Sequence, residues 1–294
     1  MTQTGLNWQS KLVLLIVLPF AAAYVVLQSP WWAAQAPAVA IWTLGLSAII
    51  ALATWKLRAA TAGAAFTGAA ITASLMFSTA NFPYEPLHTA LTPVLAVAVL
   101  AYAATRAGRE RKEALGIAEQ RHGRTASQVA ANLGMAALAC SGPAQSLLVN
   151  SHWLARAAAD PMLPLAVALA ALAEAAADTV SSEMGQVLGG RPFLITTLRR
   201  VEPGRDGAIS LAGTLAGAAA AAVVAGAGAW ALRGGLPMFA AGCAGGLFGL
   251  FFDSLLGATL EERGWLNNDA VNFLSTASAA ACALVLLALR QRFF

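Results

Sequence analysis

Apolar runs long enough to cross a bilayer recur along nearly the whole chain, and they constrain its fold more than any other feature. A spanning helix needs roughly 20 predominantly apolar residues. On that length the sequence predicts nine spans, at 11–28, 38–56, 60–78, 88–105, 126–149, 162–182, 208–232, 236–260 and 271–290. The predicted fold is therefore all-α: a polytopic membrane helix bundle occupying 1–294 as one integral membrane domain, with two N-terminal spans in 1–59. Composition agrees, since 59% of the residues are hydrophobic and 11% are charged, against about 25% charged in soluble domains.

The charges sort by side. With the N-terminus inside, fourteen of the eighteen Lys and Arg residues fall on the cytoplasmic side, leaving Arg156, Arg233, Arg290 and Arg292 outside. Positive-inside asymmetry of this size predicts N-in and C-out. It also disposes of the pI of about 9.3 as a nucleic-acid signal, because the cations punctuate apolar segments rather than forming a patch. The run Leu12–Leu27 after Lys11 has no small-residue cleavage site, so it reads as an uncleaved first span. Cys140, Cys243 and Cys282 lie singly in apolar runs, and His88, His122 and His152 lie far apart. Neither a disulfide framework nor a thiolate or zinc site is readable from that pattern.

Two regions depart from plain spans. Asn132, Gly134 and Cys140-Ser141-Gly142-Pro143 interrupt the fifth run. A broken helix is an option there, because irregular backbone is tolerated at depth where it lines a cavity. The seventh and eighth runs are dense in glycine, which lets helices approach closely.

The chemistry concentrates at the end of the sixth run, where Glu174, Asp178, Ser181, Ser182 and Glu183 close an alanine-rich stretch. A carboxylate at membrane depth costs roughly 2.5–3.5 kcal/mol on insertion scales, so such an acid marks a functional site by default. Asp178 and Ser182 share a helix face; Asp178 and Glu183 do not unless the helix frays near Gly185. Glu183 reads either as a metal ligand or as a solvated helix end, and Glu174 either as a supporting acid or as a buried structural group.

An Arg/Gly-rich stretch follows, with Arg191, Arg199, Arg200 and Arg205 around Pro203-Gly204-Arg205-Asp206-Gly207. Arg forks match phosphate oxygens, although a positive-inside loop against lipid headgroups also accounts for the arginine count. Asp253, after Phe251-Phe252, is either a metal ligand or half of a buried pair holding helices together. Asn267, Asn268 and Asp269 fit a helix N-cap or a site; Asn272 and Asn132 fit interhelical glue or site amides. The block Arg106–Arg124 alternates with Glu110, Glu113 and Glu119 and reads as a solvated loop near anionic lipid, with no function assigned.

Several ordered motifs carry a resemblance: Asp178-Thr179-x-Ser181-Ser182-Glu183-x-Gly185, then Val201-x-Pro203-Gly204-x-x-Gly207-x-x-Ser210-x-x-Gly213, then Gly249-x-x-x-Asp253-Ser254-x-x-Gly257-Ala258, then Asn268-x-x-x-Asn272, with Gln128-Val129-x-x-Asn132 upstream. Over roughly 60–290 the chain resembles the integral-membrane family called domain of unknown function 92, which includes transmembrane protein 19 and the plant phytyl-phosphate kinase. A more distant likeness in motif order runs to the CTP-using dolichol and phytol kinases and the phosphatidate cytidylyltransferases. Arginines here replace their lysines, and the His-Gly-Gly and Asp-Arg elements of the cytidylyltransferases are missing.

The resemblance implies a kinase that moves a phosphoryl group from a nucleoside triphosphate, CTP before ATP, to a membrane-held prenyl monophosphate. It implies Mg²⁺ on Asp178, Glu183 and Asp253. Phosphates would lie on Arg199, Arg200, Arg205, Gly204 and Gly207, and Asn132, Ser182, Asn268 and Asn272 would touch substrate or metal-bound water. The expected partners are the prenyl-phosphate lipid and bilayer lipids, with a homodimer as an option and nucleic acid excluded. The expected location is the inner (cell) membrane, with the active site facing the cytoplasm. The competing class is a carrier that moves a lipid phosphate or other anion across the membrane, disfavoured because the acids sort to one face whereas transporters bind near the midplane.

Overall fold

The structure, a computed structural model, describes residues 7–109, 112, 123–151, 160–188 and 190–293. Most of the Arg106–Arg124 block, together with His122, His152 and Arg156, lies outside these residues. The described chain is a bundle of ten helices: α1 Asn7–Gln35, α2 Pro37–Lys56, α3 Ala62–Ser78, α4 Leu91–Arg106, α5 Ala126–Ala139, α6 Gly142–Asn150, α7 Met162–Leu188, α8 Leu211–Ala231, α9 Gly235–Leu256 and α10 Asn268–Phe293. A two-residue hairpin, β1 Phe193–Leu194 against β2 Ala208–Ile209, lies between α7 and α8.

Each predicted span falls on helix, but the fifth is two helices. Ser141 starts the second by accepting from the Ala144 amide at 3.3 Å, and Pro143 sits in the first turn, where a missing N–H costs nothing. Length separates the rest. Among the described residues six helices are long and apolar enough to cross a membrane: α1, α2, α7, α8, α9 with its extension to Glu261, and α10. α3 and α4, at 17 and 16 residues, are shorter apolar helices, about 25 Å at 1.5 Å per residue.

The core is α7, buried continuously from Leu163 to Ala177. α8, α9 and α10 wrap it most closely, and α4 and α5 complete the ring. With little hydrophobic force between helices in lipid, this closeness rests on small residues. A Cβ on Gly217 would stand 2.7 Å from the Ala177 carbonyl, and one on Gly249 would stand 2.4 Å from Glu174 Cγ. α1, α2 and α3 pack outside α5 and present large apolar side chains such as Leu15, Leu27, Ile41 and Ile49 outward.

Alternating helix directions bring the ends of α2, α4, α7 and α9 to the same end of the bundle as the starts of α1, α3, α5, α8 and α10. Gln9 ties that end together, donating to the Trp265 carbonyl at 2.9 Å and accepting from the Asn267 amide at 2.8 Å. At the opposite end the His88 ring meets the Ala231 carbonyl at 3.1 Å.

Candidate active site

The helical repeat of α7 aligns Glu174, Asp178, Ser181, Ser182 and Gly185 along one stripe. Asp253 of α9 meets it, within hydrogen-bonding reach of the Asp178 carboxyl. Asp253 Oδ2 is buried without a hydrogen-bond partner, as are both carboxyl oxygens of Glu174 one turn deeper. The Ser275 hydroxyl, which donates to the Asn272 carbonyl at 2.9 Å, also lies within reach of the Glu174 and Asp253 carboxyls. Asp178 and Asp253, but not Glu174, border a cavity of about 160 Å³ that collects Asp178, Ser182, Asp253, Gly204, Arg205, Gly207, Asn268 and Asn272 of the expected residues. Ser181, Gln186, Ser210, Ser254 and Glu261 line it too. Ser181 was legible as a neighbour on the Asp178 face and Ser210 as part of the Pro203–Gly213 motif; Gln186 is a single polar residue that carries no sequence signal.

The loop 203–207 forms one wall through its glycines. Gly204 and Gly207 take φ of +87° and +71°, the left-handed region that glycine enters at no steric cost. A Cβ on Gly207 would lie 2.4 Å from Ala258 N and 2.5 Å from the Ser254 carbonyl. The loop thus rests directly on the end of α9, next to Asp253. There α9 loosens into a π turn, Gly257–Glu261, with the Glu262 amide reaching the Gly257 carbonyl at 3.0 Å. Such turns recur at functional sites, and this one carries Glu261 onto the cavity wall. Arg205 is paired with Glu262 at the rim. Burial, followed by the Glu262 charge, pushes the neighbouring Asp206 carboxyl above its usual value.

Four expected residues stand elsewhere. Glu183 is not in the cavity: five residues beyond Asp178 it is turned about 140° around the helix, and its carboxylate is held by Lys112 at 2.5 Å. Arg199 and Arg200 lie on the hairpin away from the cavity. The Arg199 carbonyl accepts from the Leu194 amide at 2.9 Å, and the Arg200 guanidinium sits over the Phe193 ring at 5.7 Å. Asn132 is buried in α5, donates to the Gln128 carbonyl at 2.9 Å and accepts from Asn272 at 3.5 Å. Among the described residues no three carboxylate, His or Cys side chains stand together as an ion site, so an ion here would rest on two carboxylates. The Asn267 side chain caps α10, accepting from the Ala270 amide at 2.9 Å.

Apolar spans around a polar, acid-bearing cavity at one end of the bundle define an integral membrane protein. The chain belongs to the family described as Integral membrane protein DUF92, whose sequence pattern matches residues 45–280. It is 46% identical over 99 residues to the uncharacterized membrane protein MJ0933 of Methanocaldococcus jannaschii, covering 34% of this chain and 41% of that one. It is 35% identical over 206 residues to the membrane protein sll0875 of Synechocystis, covering 67% and 74%. With the chloroplastic protein VTE6 of Arabidopsis thaliana it shares 30% identity over 196 residues, 66% of this chain and 57% of VTE6. The matches thus span less than two thirds of the length of MJ0933 and of VTE6. No solved structure matches the chain.

Proposed function

We propose that this protein is an isoprenoid-phosphate kinase of the inner (cell) membrane, working from the cytoplasmic face. It transfers a phosphoryl group from a nucleoside triphosphate, CTP before ATP, to a prenyl monophosphate such as phytyl or geranylgeranyl phosphate. One observation carries the reading: Asp178 and Asp253, from separate helices, meet on the wall of a polar cavity also lined by the Pro203–Gly207 loop. The activity is the one implied by the resemblance of these motifs to the family's kinase.

Two carboxylates in contact share a proton or gather positive charge; the Arg124 guanidinium already acts on Asp178, while Oδ2 of Asp253 has no hydrogen-bond partner. Hard oxygen donors in that number fit Mg²⁺, which takes one or two carboxylates and fills its shell with water and substrate phosphate. Asp178 and Asp253 would hold it, and when bound it neutralises phosphate charge. Glu183, engaged by Lys112, is left out of this set. Arg205, Ser182 and Ser210 hold anionic oxygens of the nucleotide, while Asn268 and Asn272 orient it by amide contacts. An oxygen of the lipid phosphate attacks the γ-phosphorus, the bond to the β-bridging oxygen breaks, and the nucleoside diphosphate leaves. The acceptor is already anionic, so positioning and charge stabilisation provide the catalysis without a general base.

The test is purified protein with γ-labelled CTP or ATP, Mg²⁺ and geranylgeranyl monophosphate. Labelled diphosphate is expected, falling by roughly 10²–10³ in Asp253→Asn, the usual loss when one electrostatic group is removed. Absence of diphosphate with either nucleotide refutes the reading. Nucleotide-independent passage of the prenyl phosphate across proteoliposomes would identify a carrier instead.

A further inference from the structure

A second and larger cavity, about 380 Å³, opens on the adjoining face of α7 at Ala175 and Thr179. Its volume falls within the roughly 300–1,000 Å³ of small-molecule sites. Its floor is apolar. α4 contributes Val94, Val97, Ala98 and Ala101 at helical spacing, and α3 contributes small residues such as Gly68. α3 meets α4 only lightly and α2 scarcely meets it at all, so the cavity is a cleft between helices. From Val94 to Arg106 it runs about 18 Å along α4 at 1.5 Å per residue.

One end of the cleft is cationic. Arg58, Arg106, Arg109, Lys112 and Arg124 line it, and no carboxylate does among its described lining residues. Lys112 is matched by Glu183 and the Arg124 charge also acts on Asp178, yet among the described residues cations outnumber the acids at this end. The backbone builds this end rather than leaving it to a solvated loop. The Arg124 amide donates to the Ala59 carbonyl at 3.0 Å, and the Thr61 amide donates to the Arg124 carbonyl at 3.0 Å. Gly123, at φ +75°, brings the two backbone segments so close that a Cβ would stand 2.6 Å from the Arg58 carbonyl. Arg106 donates to the Leu57 carbonyl at 3.2 Å. Arg124 donates to the Thr179 hydroxyl at 3.3 Å, one residue from Asp178.

We propose that this cleft binds a single-chain lipid phosphomonoester, its tail between α2, α3 and α4 and its phosphate on Arg58, Arg106 and Arg124. Charge complementarity selects the head, since guanidinium forks match a phosphate dianion. The narrow wall of alanine, glycine and valine selects one chain. The identification of this ligand as the acceptor rests on the kinase reading above: Arg124 would then hold the lipid phosphate at the edge of the Asp178–Asp253 cavity.

The test uses full-length protein in nanodiscs of neutral lipid with a diazirine analogue of farnesyl monophosphate. Labelling is expected on α3 and α4 near Gly68 and Ala98, competed by geranylgeranyl monophosphate and not by inorganic phosphate or phosphatidic acid. Arg124→Gln should weaken binding about tenfold, the scale of one charge-assisted contact, and raise the lipid KM without moving the nucleotide KM. Ala98→Trp fills the cleft with the arginines intact and should abolish labelling. Labelling elsewhere, equal competition by inorganic phosphate or by phosphatidic acid, or indifference to both variants overturns the proposal. Cleft labelling without turnover sinks the kinase reading alone; turnover with silent cleft variants sinks the lipid site alone.

Discussion

Lys112 is 1% exposed, with its ammonium on the Ala104 and Thr105 carbonyls at 2.9 and 3.3 Å and on the Glu183 carboxylate. Removing one partner of a buried pair strands the other, at a cost of about 3–5 kcal/mol. Lys112→Ala is therefore expected to lower the thermal unfolding temperature in detergent sharply, and adding Glu183→Gln should recover much of the loss. A Lys112→Ala protein as stable as the parent would show that the pair is not structural. This contact explains why sequence reasoning placed Glu183 with the metal ligands: an acid near a helix end looks alike whether it meets an ion or a lysine. Its partner lies 71 residues away in a block read as solvated. Asp178 differs, because its position within an apolar helix already demanded a partner.

At the scale of elements, the loop 203–207 and the π turn of α9 form one unit. Gly207→Ala must place a side chain in left-handed backbone, costing about 1–2 kcal/mol, and must also push against Ala258 and Ser254. We expect helical circular dichroism to persist while phosphoryl transfer falls at least about tenfold, the effect of displacing a positioning element. Gly190→Ala is the control, since it carries similar strain at φ +61° with nothing within 4 Å of the new Cβ. Similar losses in both variants would mean that contact with α9 does not matter. The Pro-Gly-Arg-Asp-Gly motif made the loop visible in the sequence. Its docking on Gly257 was not visible, because glycine spacing records freedom of backbone and not the surface that uses it.

For the whole molecule, orientation is the quantity to measure. Positive-inside sorting predicts Arg200 in the cytoplasm and Arg233, across α8, outside. In a protein with its native cysteines replaced by serine, Arg233→Cys should react with an impermeant maleimide in intact cells, and Arg200→Cys only after permeabilisation. The reverse pattern overturns N-in and moves both cavities to the other face. The sequence alone determined a helical membrane protein, the positions of its apolar segments and the acids too costly to be idle, while it left the break near Pro143 as one of two options. These follow from sums over neighbouring residues, which hydropathy and charge record directly. Only the tertiary structure decided that Asp253 meets Asp178, that Glu183 meets Lys112, and that the arginines of separate loops border one cleft. Each of those pairings joins helices distant in the chain, and close packing through glycine, rather than local pattern, selects which faces touch.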